Sequence, residues 1–241
     1  MSSRCFPSRV IELAFRSHTE SQLKGNVMKV NVMSDILKAN DLLARDIENQ
    51  LKEKKIVSWN IMGSPGAGKT ALLEKLIPML PEHAAAAVIE GDLATSNDAE
   101  RIARTGVQSA QINTNGACHL DAAMVRSALD TLKMDGIALL FIENVGNLVC
   151  PSSFQLGERG RIIVSSITEG DDKPEKYPSM FKKADLVVLN KMDMMPYTNF
   201  NMDNFNGGMS KTNPDASVIP VSAVTGDGFD QLLDWILQRL P

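Results

Sequence analysis

Two hydrophobic patterns alternate along most of this chain. Short apolar runs are each followed by a longer stretch in which apolar residues recur every three or four positions. The first pattern is typical of strands buried on both faces of a parallel sheet, and the second of helices that cover such a sheet. We therefore predict strands over residues 56–62, 86–90, 137–143, 161–168, 185–190 and 218–221. The corresponding helices are predicted over residues 69–79, 98–105, 120–133, 176–183 and 229–240.

An amphipathic helix is predicted before the first strand. Its apolar residues Ile36, Leu43, Ile47 and Leu51 fall at helical spacing, so one side of this helix must pack against other elements. Residues 196–215, rich in Asn, Met and Gly, instead predict a loop with a short helix. The order of elements predicts the α/β fold class, with a mostly parallel sheet that helices cover on both faces.

The length and composition fit one domain with a short appendage. Of the 241 residues, 44% are hydrophobic and 22% are charged, as in ordinary globular proteins. We assign residues 28–241 to the domain and residues 1–27 to an N-terminal extension. The extension carries four basic and two acidic residues with weak periodicity, which favours a disordered segment or a start misassigned upstream of Met28. An organelle-targeting leader is the alternative.

Charge, hydropathy and cysteine content argue against several classes of protein. The net charge of −4 lacks the positive surface that nucleic acid binding requires, so we expect no nucleic acid partner. The longest apolar runs are far shorter than the roughly 20 residues that cross a bilayer, so we expect no membrane partner. Three cysteines are too few and too odd in number for a disulfide framework, which favours a reducing cytoplasm.

The strongest chemical signal is a phosphate-binding loop. The string GSPGAGKT lies between a predicted strand and a predicted helix and matches the pattern G-x-x-x-x-G-K-[ST] in full. Its glycines let backbone N–H groups surround phosphate oxygens, Lys69 reaches the β- and γ-phosphates, and Thr70 can bind Mg²⁺. The fold class is thereby refined to a P-loop NTPase. The nucleotide-binding residues predicted here are Gly63, Ser64, Pro65, Gly66, Ala67, Gly68, Lys69, Thr70 and Ala71.

Carboxylates follow two other predicted strands. Glu143 ends a buried strand and Gly146 follows it, where P-loop proteins keep a carboxylate for Mg²⁺ and a glycine N–H for the γ-phosphate. A solvated strand-end acid is the alternative. Asp92 is a candidate switch-loop ligand of Mg²⁺, although capping of the next helix explains it equally well. The candidate catalytic residues are therefore Lys69, Asp92 and Glu143, and the candidate magnesium ligands are Thr70, Asp92 and Glu143.

A second motif predicts which base is bound. Asn190, Lys191 and Asp193 form an N-K-x-D set at a strand end. The Asp193 carboxylate can accept two hydrogen bonds from the N1–H and exocyclic amine of guanine, which adenine cannot supply, while Asn190 braces the loop and the Lys191 stem covers the base. After the next strand, Ser222 opens a turn in which the Ala223 N–H can meet guanine O6. An exposed polar loop is the alternative.

Cys118, His119 and Cys150 form a candidate metal set. Two thiolates and an imidazole suit Zn²⁺ or Ni²⁺. Neighbouring residues on a helix do not face one another, so a shared site needs loop geometry or a symmetric dimer. From the residues alone, free cysteines buried as small hydrophobic groups are the favoured interpretation, with His119 in a capping or paired role.

Taken together, these motifs resemble the hydrogenase nickel-incorporation GTPases of the HypB type, in the P-loop class that includes the urease nickel-insertion protein. The resemblance covers about residues 29–241. It is carried by the strings MGSPGAGKT, EGDLATSND, GACHLDA, FIENVGNLVCP, EGDDKPEKYP and LNKMD. Some family members have an N-terminal cysteine cluster or histidine-rich stretch, whereas this chain has only Cys5 there.

The resemblance implies GTP and GDP as ligands, Mg²⁺-dependent GTP hydrolysis and a homodimer favoured by GTP. It implies a Ni²⁺ or Zn²⁺ site at the dimer interface formed by Cys118, His119 and Cys150. It also implies that Lys173 contacts the nucleotide of the partner subunit. The implied partners are a nickel-binding hydrogenase maturation protein and the hydrogenase large subunit.

The resulting hypothesis is a GTP-hydrolysing nickel metallochaperone for [NiFe]-hydrogenase. No obvious catalytic glutamine follows Gly146, so we expect low intrinsic turnover. The alternatives are a GTPase serving another metalloenzyme, such as urease or a cobalamin enzyme, and a non-catalytic metal-binding protein that uses nucleotide only for assembly. The N-K-x-D set disfavours a small-molecule kinase.

Overall fold

The computed structural model describes residues 32–92 and 97–241, with the side chains of residues 34–91 and 100–241. The predicted extension over residues 1–27, Cys5 and the predicted domain boundary at Met28 lie outside these ranges. The helices are α1 (Val32–Glu53), α2 (Lys69–Leu76), α3 (Asn97–Ala103), α4 (Ala122–Leu129), α5 (Lys173–Lys176), α6 (Pro178–Phe181), α7 (Met202–Thr212) and α8 (Phe229–Leu237). The strands are β1 (Val57–Gly63), β2 (Ala86–Asp92), β3 (Gln108–Asn113), β4 (Leu139–Glu143), β5 (Gly160–Ser166), β6 (Leu186–Asn190) and β7 (Ser217–Pro220).

The seven described strands form one sheet in the order β3-β2-β4-β1-β5-β6-β7. Every described pairing between neighbours is parallel. The central strands β1, β4, β5 and β6 are buried along their whole length, because helices cover both of their faces. The predicted α/β class with a parallel sheet is confirmed.

Each face of the sheet has its own helices. On one face, side chains of α2 and α8 pack on alternate residues of β1, such as Trp59 and Ile61. On the other face, Ile47 and Leu51 of α1 join α4 over β2 and β4. The predicted apolar side of the N-terminal helix is thus buried against the sheet, except that Ile36 is exposed. Helices α6 and α7 cover the same face farther along, over β5 and β6.

The largest departures from the predicted elements occur where local sequence is a weak guide. Strand β3 was not predicted, because its sequence QSAQIN is largely polar and its residues are exposed or half-buried at the sheet edge. The segment predicted as a loop with a short helix contains the eleven-residue helix α7, in which burial of Phe205 and Met209 outweighs the low helix propensity of two glycines.

Several predicted boundaries also shift for identifiable reasons. The helix predicted over residues 176–183 is two short helices, α5 and α6, with Pro178 at the start of the second. The helix predicted from residue 120 begins at Ala122, because Asp121 caps it by accepting from Met124 N at 2.8 Å. The strand predicted to residue 168 ends at Ser166, where a 3₁₀ turn begins.

Candidate nucleotide and metal site

The phosphate loop occupies the turn between β1 and α2, as the sequence motif requires. A Cβ on Gly68 would lie 2.4 Å from Asn190 Nδ2, and one on Gly63 would lie 2.2 Å from the carbonyl oxygen of Val164. Gly68 also has a φ of +95°. A side chain at either position would collide with its surroundings, so glycine is required for the loop to pass this close to β5 and β6.

A cavity of about 310 Å³ opens between this loop and the ends of β2 and β4. Inside it, the Thr70 hydroxyl donates to Glu143 Oε1 at 2.7 Å, and Lys69 Nζ donates to the carbonyl oxygen of Ser64 at 3.4 Å. Of the predicted residues, the cavity wall contains Pro65, Gly66, Gly68, Lys69, Thr70, Ala71, Glu143 and Gly146.

The cavity wall also contains five residues that were not predicted, Glu90, Gly91, Arg101, Asn144 and Val145, of which two are charged. Glu90 is 2% exposed and lies beside Glu143, its register partner on the adjacent strand. An acidic residue inside a buried run was the available signal. Arg101 of α3 also lines the cavity, and its guanidinium bonds the Glu74 carboxylate at 3.0 and 2.5 Å. Asp92 ends β2 at the same edge of the sheet, but its side chain lies outside the described part.

The residues of the N-K-x-D set meet beside the phosphate loop. Asn190 Nδ2 donates to the carbonyl oxygen of Ala67 at 3.0 Å, and its Oδ1 accepts from Ala223 N at 3.2 Å. Lys191 Nζ donates to the carbonyl oxygen of Gly66 at 2.7 Å. Asp193 Oδ1 accepts from Ser222 Oγ at 2.6 Å. Asn190 therefore ties the phosphate loop to the turn that opens at Ser222.

Lys173 is connected to the phosphate loop through one intermediate residue. Its ammonium donates to the carbonyl oxygen of Glu169 and to Asp172 Oδ1, the latter at 3.1 Å. The Glu169 carboxylate in turn accepts from the Ser64 hydroxyl. The hydrogen bond from Lys173 holds the pKa of the Asp172 carboxyl below its usual range.

Cys118, His119 and Cys150 are brought together within one chain. Their potential ligand atoms all lie within 4.8 Å of one another. Cys118 and His119 occupy the turn before α4, and Cys150 begins a 3₁₀ turn after β4, so loop geometry removes the difficulty of adjacent residues facing apart on a helix. The three side chains are half-buried. Both cysteines are free but only half-buried, so the structure does not show the fully buried thiols that the residues alone favoured, and metal binding by this set stays a prediction.

The metal set has a defined local environment. The His119 ring stacks on Phe154 with centroids 3.9 Å apart, while Asp121, not His119, caps α4. Burial lowers the pKa of His119, and the charge of Asp121 partly offsets this shift. The lowered pKa favours the neutral imidazole, which is the form that binds metal. A hydrogen bond with Cys118 raises the pKa of the Cys150 thiol, with burial adding to the shift. A metal ion must therefore displace a thiol proton on binding.

A buried polar network supports the loop that carries Cys150 and Phe154. Arg161 Nε bonds Glu158 Oε1 at 2.8 Å, with both side chains almost fully buried. The same guanidinium donates to the carbonyl oxygens of Ser152 and Phe154, each at 3.1 Å. Because a buried ion pair is stable only when its polar atoms are satisfied, this network fixes the position of the loop.

The segment that carries Cys118 and His119 contacts two residues of the phosphate cavity. Asn144, which lines the cavity, accepts a hydrogen bond from Leu120 N at 3.2 Å through its Oδ1. Gly91, which also lines the cavity, packs against the Leu120 side chain. A Cβ on Gly91 would lie only 2.8 Å from Leu120 Cδ2. His119 is therefore one residue away from a direct contact with the nucleotide cavity.

The parallel sheet and the phosphate loop define a P-loop nucleotide-binding protein. Residues 57–220 match the family described as CobW/HypB/UreG, nucleotide-binding domain. The chain is 43% identical over 220 residues to the hydrogenase maturation factor HypB of Escherichia coli (strain K12), covering 91% of this chain and 75% of that protein. The chain therefore belongs to the CobW/HypB/UreG family of nucleotide-binding proteins.

Two solved structures are similar over most of the chain. One is the crystal structure of HypB from Helicobacter pylori in complex with nickel, with 39% identity, a TM-score of 0.79, and coverage of 83% of this chain and 94% of that chain. The other is hydrogenase maturation factor HypB from Archaeoglobus fulgidus, with 38% identity, a TM-score of 0.79, and coverage of 85% and 100%. Among the described helices, we find none with the length and apolar character that spanning a bilayer demands.

Proposed function

We propose that this protein is a GTP-hydrolysing nickel metallochaperone that assists nickel insertion into [NiFe]-hydrogenase. The observation that carries the proposal is the pairing of two sites in one domain. The ligand atoms of Cys118, His119 and Cys150 lie within 4.8 Å of one another. The segment that carries Cys150 follows Gly146 in the wall of the phosphate cavity, and Asn190 and Lys191 of the N-K-x-D set donate to the phosphate loop. The similarity to hydrogenase maturation factors supports the same function.

Guanine selection is assigned to Asp193. One carboxylate oxygen is held by Ser222 at 2.6 Å, which orients the group while it still has acceptor capacity for the base. Guanine supplies two N–H donors to a carboxylate, and adenine would leave it unpaired. An unpaired polar group in a covered site costs about 1–3 kcal/mol, which is sufficient to reject ATP.

Hydrolysis is assigned to the cavity between the phosphate loop and β4. Water attacks the γ-phosphorus, and the bond to the oxygen bridging the β- and γ-phosphorus atoms breaks. Lys69 neutralises the charge that develops, and Glu143 is in position to orient the water. We expect slow turnover, because the residues directly after Gly146 are Asn147 and Leu148, and no glutamine stands there to orient the water.

The donor set at this cavity fits Mg²⁺. The Thr70 hydroxyl and the Glu143 carboxylate already meet at 2.7 Å, and oxygen donors are the ligands that this hard cation prefers. Thr70, Glu143 and Asp92 would hold the ion. When bound, it supplies additional charge stabilisation to the phosphates.

Nickel is assigned as cargo of the cysteine and histidine set. Thiolate and imidazole ligands suit Ni²⁺ and also Zn²⁺. Three protein ligands leave coordination positions open, which allows an acceptor protein to take the ion. We propose a nickel-binding maturation protein and the hydrogenase large subunit as the partners, and a reducing cytoplasm as the compartment, because the thiols must stay reduced.

Homodimerisation favoured by GTP completes the proposal. Lys173 is only partly exposed and is held by Glu169 and Asp172, close to a phosphate-loop residue through the Ser64 to Glu169 contact. We assign it to the nucleotide of a second copy across the dimer interface.

Two assays test the function on the full chain. In the first, phosphate release is measured with GTP and with ATP, for the wild type and for Lys69→Ala. We expect GTP-specific turnover that the substitution abolishes. In the second, nickel content is measured after dialysis for the wild type and for Cys118→Ala. We expect loss of stoichiometric nickel in the variant.

The outcomes of these assays separate the alternatives. Nickel binding without phosphate release would indicate a non-catalytic metal-binding protein that uses nucleotide for assembly only. Phosphate release with equal nickel content in the wild type and in Cys118→Ala would refute the nickel site.

A further inference from the structure

Asn147 contacts the phosphate loop through its backbone and the segment that carries Cys150 through its side chain. Its backbone N–H donates to the carbonyl oxygen of Gly63, the first residue of the loop, at 3.0 Å. This contact forms an isolated antiparallel bridge between the two residues. Its side-chain Oδ1 accepts from Val149 N at 2.7 Å and from Cys150 N at 3.4 Å. One residue is therefore bonded at the same time to the phosphate loop and to the backbone of Cys150.

The residue before it, Gly146, packs closely against the phosphate loop. Gly146 lines the phosphate cavity, and a Cβ on it would lie 2.9 Å from the backbone of Pro65. A third phosphate on the nucleotide would therefore enter a space where Gly146 and Pro65 are already in close contact. Any displacement of Gly146 must carry Asn147 with it, since the two are joined by a peptide bond.

We propose that Asn147 is the positioning residue that transmits the nucleotide state from the phosphate loop to Cys150 and thereby sets the affinity for nickel. This inference rests on the proposed function, because it names the residue that regulates the same nickel site. Its physical basis is a short chain of hydrogen bonds between two sites, Gly63 to Asn147 to Cys150, of the kind that carries energetic coupling. The backbone contact to Gly63 survives substitution, whereas the side-chain contacts to residues 149 and 150 do not.

The test is nickel affinity in two nucleotide states, with Mg²⁺ present. Nickel dissociation constants are measured with GDP and with a non-hydrolysable GTP analogue, and the ratio of the two is compared among variants. For the wild type we expect a ratio of at least about 5-fold, the lower end of typical coupling between sites. For Asn147→Ala we expect the ratio to fall below about 2-fold. A purely structural role would weaken both affinities and leave the ratio unchanged.

Two further variants make the result specific. Asn147→Asp retains an acceptor oxygen for the Val149 and Cys150 N–H groups, so we expect it to keep the wild-type ratio even where its charge shifts both affinities together. Asn113→Ala is the matched control. Asn113 Oδ1 accepts from Asn115 N at 2.9 Å, which is the same type of turn on the segment leading to Cys118, and we expect the ratio to be unaffected.

The outcomes distinguish this inference from the proposed function. A wild-type ratio above about 5-fold that persists in Asn147→Ala would overturn the role of Asn147 and leave the nickel carrier intact. Loss of the ratio in Asn147→Asp or in Asn113→Ala would also overturn it, since neither removes the acceptor on which the inference depends. A wild type that binds nickel equally in both states would overturn the coupling but not nickel binding. Absence of nickel binding in every state would refute the proposed function itself.

Discussion

Thr70 and Glu143 meet across the phosphate cavity, where the threonine hydroxyl donates to the glutamate carboxylate at 2.7 Å. Thr70 lies in the first turn of α2, directly after the phosphate loop, and Glu143 ends the central strand β4. The contact therefore joins the loop that holds phosphates to the strand that leads through Gly146 and Asn147 to Cys150. The proposed site of hydrolysis and Cys150 of the candidate metal set are therefore connected by one short segment of chain.

Glu143→Gln should slow GTP hydrolysis while leaving nucleotide binding nearly unchanged. Glutamine keeps the size of the side chain and can still accept from Thr70, but it lacks the negative charge to which we assign the orientation of water and the binding of Mg²⁺. We expect kcat to fall by about 100-fold, as is typical for loss of a general base or orienting acid. Single-turnover phosphate release measures the effect. Glu175→Gln, on the surface, is the control, and equal rates in both variants would contradict the assignment.

Asp193→Asn should change base preference. The variant replaces a carboxylate that accepts two guanine N–H bonds with an amide, and an amide N–H can instead donate to the C2 oxygen of xanthine. We expect GTP affinity to fall by roughly 10–100-fold, corresponding to about 1–3 kcal/mol, and XTP affinity to rise. Competition binding with a labelled nucleotide measures both. Asp203→Asn, on α7, serves as the control, and unchanged preference in Asp193→Asn would exclude the guanine role.

Nickel affinity should rise with pH. The pKa of the Cys150 thiol is raised, chiefly by its hydrogen bond with Cys118, so in the metal-free protein this thiol holds its proton until higher pH. The pKa of His119 is lowered by burial against the opposing charge of Asp121, so its proton competes only at lower pH. Nickel must displace the thiol proton, and its affinity should increase on the order of tenfold per pH unit for each proton released.

Titrations of nickel at about pH 6.5 and about pH 8 check this sign. We expect the wild type to bind nickel more tightly at the higher pH. In Cys150→Ala, we expect nickel affinity to change less between the two pH values. Binding that weakens as pH rises would be incompatible with thiolate ligands.

Arg161→Leu should strongly destabilise the fold. The substitution leaves the Glu158 carboxylate buried without its ion-pair partner and removes two hydrogen bonds to the loop bearing Phe154. Breaking one side of a buried pair costs about 3–5 kcal/mol. The control is Lys211→Ala, which breaks the ion pair between Lys211 and Glu175. Because these side chains are 75% and 53% exposed, the loss of this pair should lower the free energy of unfolding by less than about 1 kcal/mol. Urea unfolding of both variants measures the difference, and similar losses would contradict the structural role of the buried network.

The sequence could predict the parts of the site that are local in the chain. The phosphate loop is a continuous string whose glycines are required by close approach, as at Gly68, and the N-K-x-D set follows a strand whose apolar run is unmistakable. The central buried strands were predicted for the same reason, because a run such as LVVLN is buried by helices on both faces.

What the sequence could not predict depends on contacts between distant segments. Glu90 is recognisable as part of the cavity only once β2 lies beside β4 and aligns it with Glu143. Similarly, Cys118 and Cys150 are separated by more than 30 residues in the chain, and their loops meet only in the fold, where Leu120 N donates to Asn144 after β4. Strand β3 has a polar sequence and is a strand because β2 offers it an edge.

Control of nickel release by GTP hydrolysis can be measured during a single round of hydrolysis. The nickel-loaded protein is mixed with GTP or with a non-hydrolysable analogue, and free nickel is followed with a chromogenic chelator while phosphate is measured in parallel. We predict that, with GTP, nickel is released at the same rate as phosphate forms, and that with the analogue nickel stays bound. Release at the same rate with both nucleotides, or retention of nickel after complete hydrolysis, would contradict a carrier controlled by GTP hydrolysis.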